Sequence, residues 1–139
     1  MAYTPEEIIE AARSLLKDRY EKEGHHTVVA AALTTKSGNL YAGLHTGTTH
    51  PSVATCAEII TIGIALTAEK GMEIDTIVAV RDMDGYVISP CGKCREYISD
   101  YSSHSAKVIV PTSNEKGWDV VPIEDLLPNK YCKRESLCK

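Results

Sequence analysis

Apolar residues along the chain switch between helical and extended spacing, and this switching predicts the order of the elements. Over residues 5–22 they recur at intervals of three and four, which indicates an amphipathic helix. Thr4 precedes Pro5 and two glutamates, a combination typical of a helix N-terminus. A second helical pattern covers residues 55–70, where apolar side chains occupy most of the circumference. We expect that helix to be largely buried.

Shorter apolar runs bounded by turn residues predict strands. Residues 28–34 and 39–44 flank a Lys-Ser-Gly turn and indicate a β-hairpin. The remaining predicted elements are strands at 76–81, 107–111 and 118–121, a short extended piece at 86–89, and helices at 91–102 and 123–127. This order predicts a mixed sheet with helices packed on its faces.

Composition narrows the classes of function. The chain has 139 residues and a net charge of −4, so we expect a single domain over 1–139 with a polar tail at 130–139. The acidic balance argues against a nucleic-acid partner, which would require clustered Lys and Arg. The longest unbroken hydrophobic stretch, residues 28–33, is too short to cross a membrane. A small-molecule partner fits better.

Cysteine usage bears on the compartment. The first ten residues are acidic and contain no apolar run, so no secretory signal is expected. Five cysteines are an odd number for a secreted disulfide scaffold. We therefore expect a cytoplasmic protein in which some cysteines serve metal or redox chemistry. Cys132 and Cys138 lie in the polar tail and are expected to be exposed thiols without function.

The other three cysteines fall in two clusters, each where a helix is predicted to begin. The clusters are Thr55-Cys56-Ala57-Glu58 and Ser89-Pro90-Cys91-Gly92-Lys93-Cys94. A cysteine at a helix N-terminus lies at the positive end of the macrodipole, which favours the thiolate. Cys91 and Cys94 are three residues apart, so their sulfurs project to one side and can share a tetrahedral ion.

Three interpretations of the clustered cysteines are open. They are a fortuitous pair of thiols, a dithiol redox pair, or a catalytic zinc site with three thiolate ligands and a fourth position for water. The redox pair leaves the first cluster unexplained. A structural zinc would need a fourth ligand, which Cys132 or His50 could supply. Glu58 favours the catalytic site, because a carboxylate in an apolar segment requires a reason and a general base beside a metal is one.

The two clusters together resemble the signature of the cytidine deaminase superfamily, specifically the small cytidine and blasticidin-S deaminases. The resemblance extends to the family's first strand, its second zinc helix and its closing segment, at residues 27–33, 89–97 and 123–128. It implies a cytidine deaminase-like three-layer α/β/α sandwich with a five-stranded mixed sheet. It also implies one Zn²⁺ per chain, held by Cys56, Cys91 and Cys94, and a homotetramer.

The reaction implied by the resemblance is hydrolytic deamination of a cytosine-type nucleoside or nucleoside analogue, with release of ammonia. Glu58 would move protons between water, the ring nitrogen and the leaving amine, while Ala57 and Ser89 would contact the substrate through their backbone. One alternative is a deaminase of blasticidin-S-type or modified aminopyrimidines rather than of cytidine. Another, from a different class, is a zinc-stabilised binding protein without turnover.

The match fails where nucleoside-specific relatives hold the ribose. Their asparagine and glutamate correspond to His45 and Gly47 here, so the carboxylate is gone. The aromatic residue that would stack on the base near Thr27 is also missing, although His26 is adjacent. We expect His45, Gly47 and His26 to be substrate contacts, with His50 a weaker candidate. A site without partners for the hydroxyls should select ordinary cytidine weakly.

The charge of the metal cluster requires compensation. Three thiolates and one Zn²⁺ carry a net negative charge, which the two helix N-termini offset only in part. Relatives often place an arginine directly after Cys-Ala-Glu, where this chain has Ile59. We expect Arg95, which follows Cys94, to donate to a thiolate sulfur and supply the missing positive charge, with Lys93 as its substitute.

Overall fold

The computed structural model of the chain describes residues 2–20 and 28–132. Its helices are α1 (Pro5–Arg19), α2 (Ala57–Ala68), α3 (Gly92–Asp100) and α4 (Ile123–Leu126). Its strands are β1 (Val29–Thr35), β2 (Leu40–Leu44), β3 (Ile74–Arg81), β4 (Tyr86–Ile88), β5 (Lys107–Pro111) and β6 (Trp118–Pro122). This is the predicted order, with helix ends shifted by a few residues. Residues 21–22 of the predicted first helix lie outside the described residues.

The strands form one mixed sheet in the order β2-β1-β3-β5-β6. β3 and β5 run parallel, and the other neighbours along this path are antiparallel. β5 pairs with residues 76–77 of β3 and β4 with residues 79–81, so β4 and β5 follow one another along the same edge of β3. The predicted mixed sheet is confirmed at five strands wide, and the predicted extended piece forms the sixth strand.

Helices cover both faces of the sheet, which confirms the three-layer α/β/α sandwich. On one face α1 buries Ile8, Ala12 and Leu16 against side chains of β1 and β3. On the other face Ile62 of α2 and Ile98 of α3 pack with the opposite side chains of the same strands. All seven residues of β1 are buried, as expected for a strand covered on both sides. Within 2–20 and 28–132, none of the helices combines the length and apolar character of a membrane span.

The N-terminus of α1 forms as its sequence predicts. Thr4 accepts a hydrogen bond at Oγ1 from the backbone N–H of Glu7, and its own N–H donates to the Glu7 carboxylate. This reciprocal pair satisfies two of the helix-end donors, and Pro5 has no N–H to satisfy. The predicted start of the helix is therefore confirmed.

Small residues allow α2 to lie close against the sheet. Ala31, Ala57 and Ala79 pack together beneath the first turn of the helix. Further along, a Cβ on Gly43 of β2 would lie 2.7 Å from the Oγ1 of Thr61, which is closer than side-chain atoms approach. The absence of that Cβ fixes the distance between α2 and the hairpin, and thereby the position of the helix N-terminus.

The C-terminal end of α2 is held by one carboxylate. Thr35, Asn39 and Tyr41 of the hairpin all donate to Oε2 of Glu69, at 3.0, 2.6 and 2.9 Å. The hydrogen bond from Asn39, with those from Tyr41 and Thr35, lowers the pKa of Glu69 against the effect of desolvation. Both ends of α2 are thus fixed against the hairpin.

The start of the predicted polar tail is anchored on α3. Lys130 donates to the carboxylates of Glu96 and Asp100, at 2.6 and 2.8 Å, and its side chain is only 9% exposed. Burial opposes its charged form, but the hydrogen bonds with Asp100 and Glu96 outweigh that effect and raise its pKa. The first residue of the predicted tail is therefore fixed against α3.

Candidate metal centre and active site

The N-termini of α2 and α3 bring the two cysteine clusters together. Cys56 is the N-cap residue of α2 and Cys91 the N-cap residue of α3, and Cys94 lies in the first turn of α3. Both helices therefore direct their free N–H groups toward the same region. The prediction that each cluster begins a helix is confirmed.

The three sulfurs are close enough to hold one ion. The Sγ atoms of Cys56 and Cys91 are 3.7 Å apart, and all three sulfurs lie within 4.8 Å of one another. A tetrahedral zinc with Zn–S bonds of roughly 2.3 Å separates its sulfurs by about 3.8 Å. The cluster therefore fits Zn²⁺ in donor type and in size.

The environment of the sulfurs disfavours ionisation of two of the three thiols. Burial raises the pKa of the Cys94 thiol far above its ordinary value, and the negative charges of Glu58 and Cys56 raise it further. Burial likewise raises the pKa of Cys56. At Cys91, burial is outweighed by the backbone N–H and thiol of Cys94, and the pKa is lowered. A bound dication would supply the positive charge that the other two thiolates lack.

Glu58 lies beside the sulfur cluster, on the first turn of α2. The residue is 5% exposed, and its carboxylate interacts with the thiol of Cys94. Burial raises its pKa, and its own backbone N–H and Cys94 offset that only in part. A carboxyl group in this position can accept a proton and return it, which is the role of a general acid–base. The sequence placed this carboxylate in an apolar segment, and the structure buries it.

An open cavity of about 630 Å³ reaches down to Glu58 and the sulfurs, a size within the range of small-molecule sites. It is lined by seven of the residues predicted from the sequence, namely His45, Gly47, Cys56, Ala57, Glu58, Ser89 and Cys91. Its other walls come from Val28, Val29, Thr48, Thr49, Pro51, Ala54, Arg81 and Ile88. The structure thus gathers most of the predicted site into one cavity.

One pair of backbone hydrogen bonds shapes the rim. Thr46 and Thr55 bond to each other through both N–H groups, at 3.1 and 2.8 Å, and close the intervening loop. The N–H of His45 bonds to the carbonyl of Val29 at 2.8 Å. These contacts hold the predicted substrate-binding positions His45 and Gly47 next to the start of α2.

Other predicted residues lie elsewhere. His26 falls outside the described residues. His50 is exposed, and its Nδ1 is 2.7 Å from the hydroxyl of Ser52, so it does not approach the sulfurs as a fourth ligand in this structure. Lys93 is exposed on the first turn of α3. Cys132 is disulfide-bonded, so the expectation of a free thiol there is wrong, and Cys138 lies outside the described residues.

The side chain of Arg95 contacts the backbone of the segment 89–91, which leads into α3 and is called the metal loop below. Its Nε donates to the carbonyl of Pro90 at 2.9 Å, and its Nη1 donates to the carbonyl of Leu126 at 3.1 Å. The sequence led us to expect a hydrogen bond to sulfur, whereas these two bonds go to carbonyl oxygens. Its electrostatic effect on the cluster stays a prediction.

Arg81 is the charged residue among the cavity-lining residues that sequence reasoning missed. It is the last residue of β3 and lines the cavity from the side of the sheet. Alternation along the strand was the available signal, because Ile77, Ala79 and Arg81 share one face. That signal could not say which face meets the site, since this depends on how β3 packs against α1 and α2.

Fold and site together define a zinc-dependent hydrolytic deaminase. The chain matches the cytidine and deoxycytidylate deaminase zinc-binding region over residues 3–111, and it belongs to that family. Blasticidin-S deaminase of Bacillus cereus is 38% identical over 136 residues, covering 91% of each protein. Cytidine deaminase of Sporosarcina psychrophila is 30% identical over 108 residues, covering 77% of this chain and 76% of that protein.

Solved structures agree with this assignment. The crystal structure of cytidine deaminase from Burkholderia pseudomallei matches with a TM-score of 0.75 and 28% identity, covering 93% of this chain and 100% of that one. That of cytidine deaminase from Mycobacterium leprae matches with a TM-score of 0.74 and 25% identity, covering 91% and 99%. The family, fold and zinc cofactor predicted from the sequence are confirmed.

Proposed function

We propose that Cys56, Cys91 and Cys94 hold the zinc ion and that Glu58 carries protons in the deamination of a cytosine-type nucleoside or nucleoside analogue. The observation that carries this proposal is the convergence of the three sulfurs and a buried carboxylate at the floor of one open cavity. A structural zinc site has no use for a carboxylate held in that position. An enzyme that must move protons at the metal does.

The chemistry divides between the ion and the chain. Zinc supplies, when bound, the Lewis acidity that makes water a usable nucleophile at neutral pH. Glu58 accepts one proton from water and delivers it to the ring nitrogen, then accepts the second proton of the attacking oxygen and delivers it to the departing amine, so that both protons of the water are used. The overall reaction consumes one water, replaces the exocyclic amine by a carbonyl oxygen and releases ammonia.

Substrate contacts follow from the cavity walls. The backbone of Ala57 and Ser89 would hold the pyrimidine edge and the amine, while His45 and Gly47 would face the part attached to the ring. The proposed role of His26 lies outside the described residues. A blasticidin-S-type substrate is the second candidate. It is supported by the 38% sequence identity to blasticidin-S deaminase and by Gly47, which stands where nucleoside-specific relatives have a carboxylate for the ribose hydroxyls.

Release of ammonia from cytidine, deoxycytidine, cytosine and blasticidin S tests the function. We expect turnover of at least one nucleoside-type substrate by the zinc-loaded protein, and weaker selection of cytidine than hydroxyl-binding relatives show. Turnover of blasticidin S far above that of cytidine would assign the second candidate. No ammonia from any of the four would favour a zinc-stabilised binding protein.

We also propose that the protein is a homotetramer made of a single 139-residue domain with a polar tail at 130–139. The outward face of α2 supports self-association, since Ile59, Gly63 and Leu66 succeed one another at helical spacing and Leu66 is 42% exposed. An apolar strip of this kind on a helix is typical of a surface buried between subunits.

We propose a cytoplasmic location from the oxidation state of the cysteines. Cys56, Cys91 and Cys94 are free thiols in close contact, which a reducing compartment preserves. The disulfide of Cys132 points to an oxidising compartment instead. Cell fractionation, with alkylation of free thiols at lysis, decides between the two.

A further inference from the structure

The cavity contains one basic side chain that the deamination chemistry does not use. Among the described residues that line it, Arg81 is the only Lys or Arg, and Glu58 is the only Asp or Glu. Glu58 lies at the floor beside the sulfurs and is buried, whereas the side chain of Arg81 is 48% exposed. The outer part of the cavity therefore has positive character, and the inner part holds the acid.

The strand register directs Arg81 to the side of the metal centre. Arg81 pairs with Val29 on β1, and both line the cavity. Side chains alternate along a strand, so Arg81 shares its face with Ala79, which packs against Ala57 of α2. Val80, between them, faces the core beneath α1. Arg81 thus lies on the face of the sheet that is covered by α2, the helix that carries Glu58.

The backbone beside Arg81 is fixed on two sides. The next residue, Asp82, donates its N–H to the carbonyl of Val28 at 2.9 Å and has a left-handed φ of 62°. At the end of the same turn, the carbonyl of Gly85 accepts a hydrogen bond of 2.8 Å from Nε of Arg13 on α1. A turn held in this way fixes the backbone from which the side chain of Arg81 extends.

The guanidinium retains capacity for a ligand. It forms an exposed ion pair with the carboxylate of Asp82, whose Oδ1 is 3.6 Å from Nε, and both side chains are nearly half exposed. At that distance and exposure the pair contributes little. A guanidinium has five N–H donors arranged to bind two oxygens of a carboxylate or phosphate at once.

We propose that Arg81 is a specificity-determining residue that binds an anionic group, a carboxylate or a phosphate, carried by the substrate on the part attached to the pyrimidine. The inference rests on the proposed function, because it assigns a substrate class to the same cavity. In this arrangement the aminopyrimidine enters toward Glu58 and the anionic group stays at the rim, where Arg81 selects it.

The test compares matched neutral and anionic substrates. Kinetics of ammonia release are measured with cytidine, cytidine 5′-monophosphate and cytidine 5′-carboxylic acid, for the zinc-loaded wild type and for Arg81→Gln and Arg81→Lys. We expect Arg81→Gln to raise KM for at least one anionic substrate by about 10- to 100-fold. For cytidine we expect a change below about threefold, and for Arg81→Lys an intermediate value. The substrate that responds distinguishes phosphate from carboxylate.

Arg19→Gln provides the matched control, because Arg19 is an exposed arginine at the end of α1, on the opposite face of the sheet. It makes the same change in net charge and should leave every KM unchanged. If Arg81→Gln affects the neutral and anionic substrates equally, or affects none of them, the inference is overturned while the proposed function stands. A wild-type protein that releases ammonia from none of these compounds, and from none of deoxycytidine, cytosine and blasticidin S, overturns the proposed function itself.

Ionic strength gives a second measurement on the unmodified protein, which does not depend on the folding of any variant. Salt screens an exposed charge pair, so KM of the wild type for the favoured anionic substrate should rise with salt while KM for cytidine stays level. Equal salt dependence for both substrates would overturn the inference.

Discussion

Nε of Arg95 donates to the carbonyl oxygen of Pro90 at 2.9 Å, directly before the N-cap cysteine of α3. The same guanidinium reaches the carbonyl of Leu126 at the end of α4. One side chain therefore fixes the peptide that precedes Cys91 and joins the metal loop to the last helix.

Replacing that side chain should separate positioning from electrostatics. We expect Arg95→Gln to lower the free energy of unfolding by about 1–3 kcal/mol, because two charge-assisted hydrogen bonds are lost, while zinc is retained. If Arg95 also offsets the charge of the thiolates, the acidic limb of the pH–rate profile moves to higher pH. An unchanged limb in the folded, zinc-loaded variant assigns that compensation to the helix dipoles or to Lys93 and leaves Arg95 a positioning residue.

Metal analysis tests the sulfur cluster. Wild-type protein should contain about one zinc per chain, and Cys91→Ala should lose both the metal and stability, since thiolate ligation contributes directly to folding. Ser89→Ala, a similar truncation two residues away, should retain zinc. Wild-type protein that remains folded and active after exhaustive chelation, with no metal detected, would refute the assignment.

Glu58→Gln should keep the fold and the zinc but lose about 10²- to 10⁴-fold in kcat, because the amide cannot transfer protons. Glu69→Gln makes the same substitution at the C-terminal end of the same helix, away from the cavity, and should leave kcat unchanged. Activity of Glu58→Gln within about tenfold of wild type would assign the proton transfers to another group. Loss of zinc from that variant would make Glu58 a ligand.

Glu69 should contribute to stability in a pH-dependent way. Its pKa is lower in the folded protein than in the unfolded chain, chiefly through the hydrogen bond from Asn39. The stabilisation is therefore fully present above the ordinary carboxyl pKa and is lost as pH falls through the lowered folded value. Chemical denaturation across the acid range should show a flatter pH dependence for Glu69→Gln than for wild type. The matched change at Glu73, whose carboxylate forms an exposed ion pair with Lys36, should preserve the wild-type slope.

Light scattering at micromolar concentration should give a mass of roughly 60 kDa, four times the mass of one chain. Leu66→Lys should dissociate the assembly, because it places a charge in the apolar strip of α2. Met83→Lys introduces the same charge at another exposed apolar residue, in the turn after β3, and should leave the mass unchanged. A wild-type monomer would refute the tetramer.

Local sequence determined the elements and most of the chemistry of this protein. The capping box of α1 is complete within four residues, and the hairpin turn and helical spacings are equally short-range. The cysteine clusters each occupy one helix N-terminus, so sequence spacing alone brings Cys91 and Cys94 together and places Glu58 in the same helical turn as Cys56. These relations were predictable because they depend only on the backbone geometry of residues that are close together in the sequence.

Tertiary structure decided what depends on pairing between distant segments. Arg81 joins the cavity through the register of β3 with β1 and through the choice of which face meets α2. The sixth strand forms because β4 pairs with residues 79–81 of β3, beyond the part of the same edge that pairs with β5. The Cys132 disulfide was likewise not foreseen. Register and layer order minimise the exposed apolar surface of the whole chain, so no short stretch of sequence contains the information that fixes them.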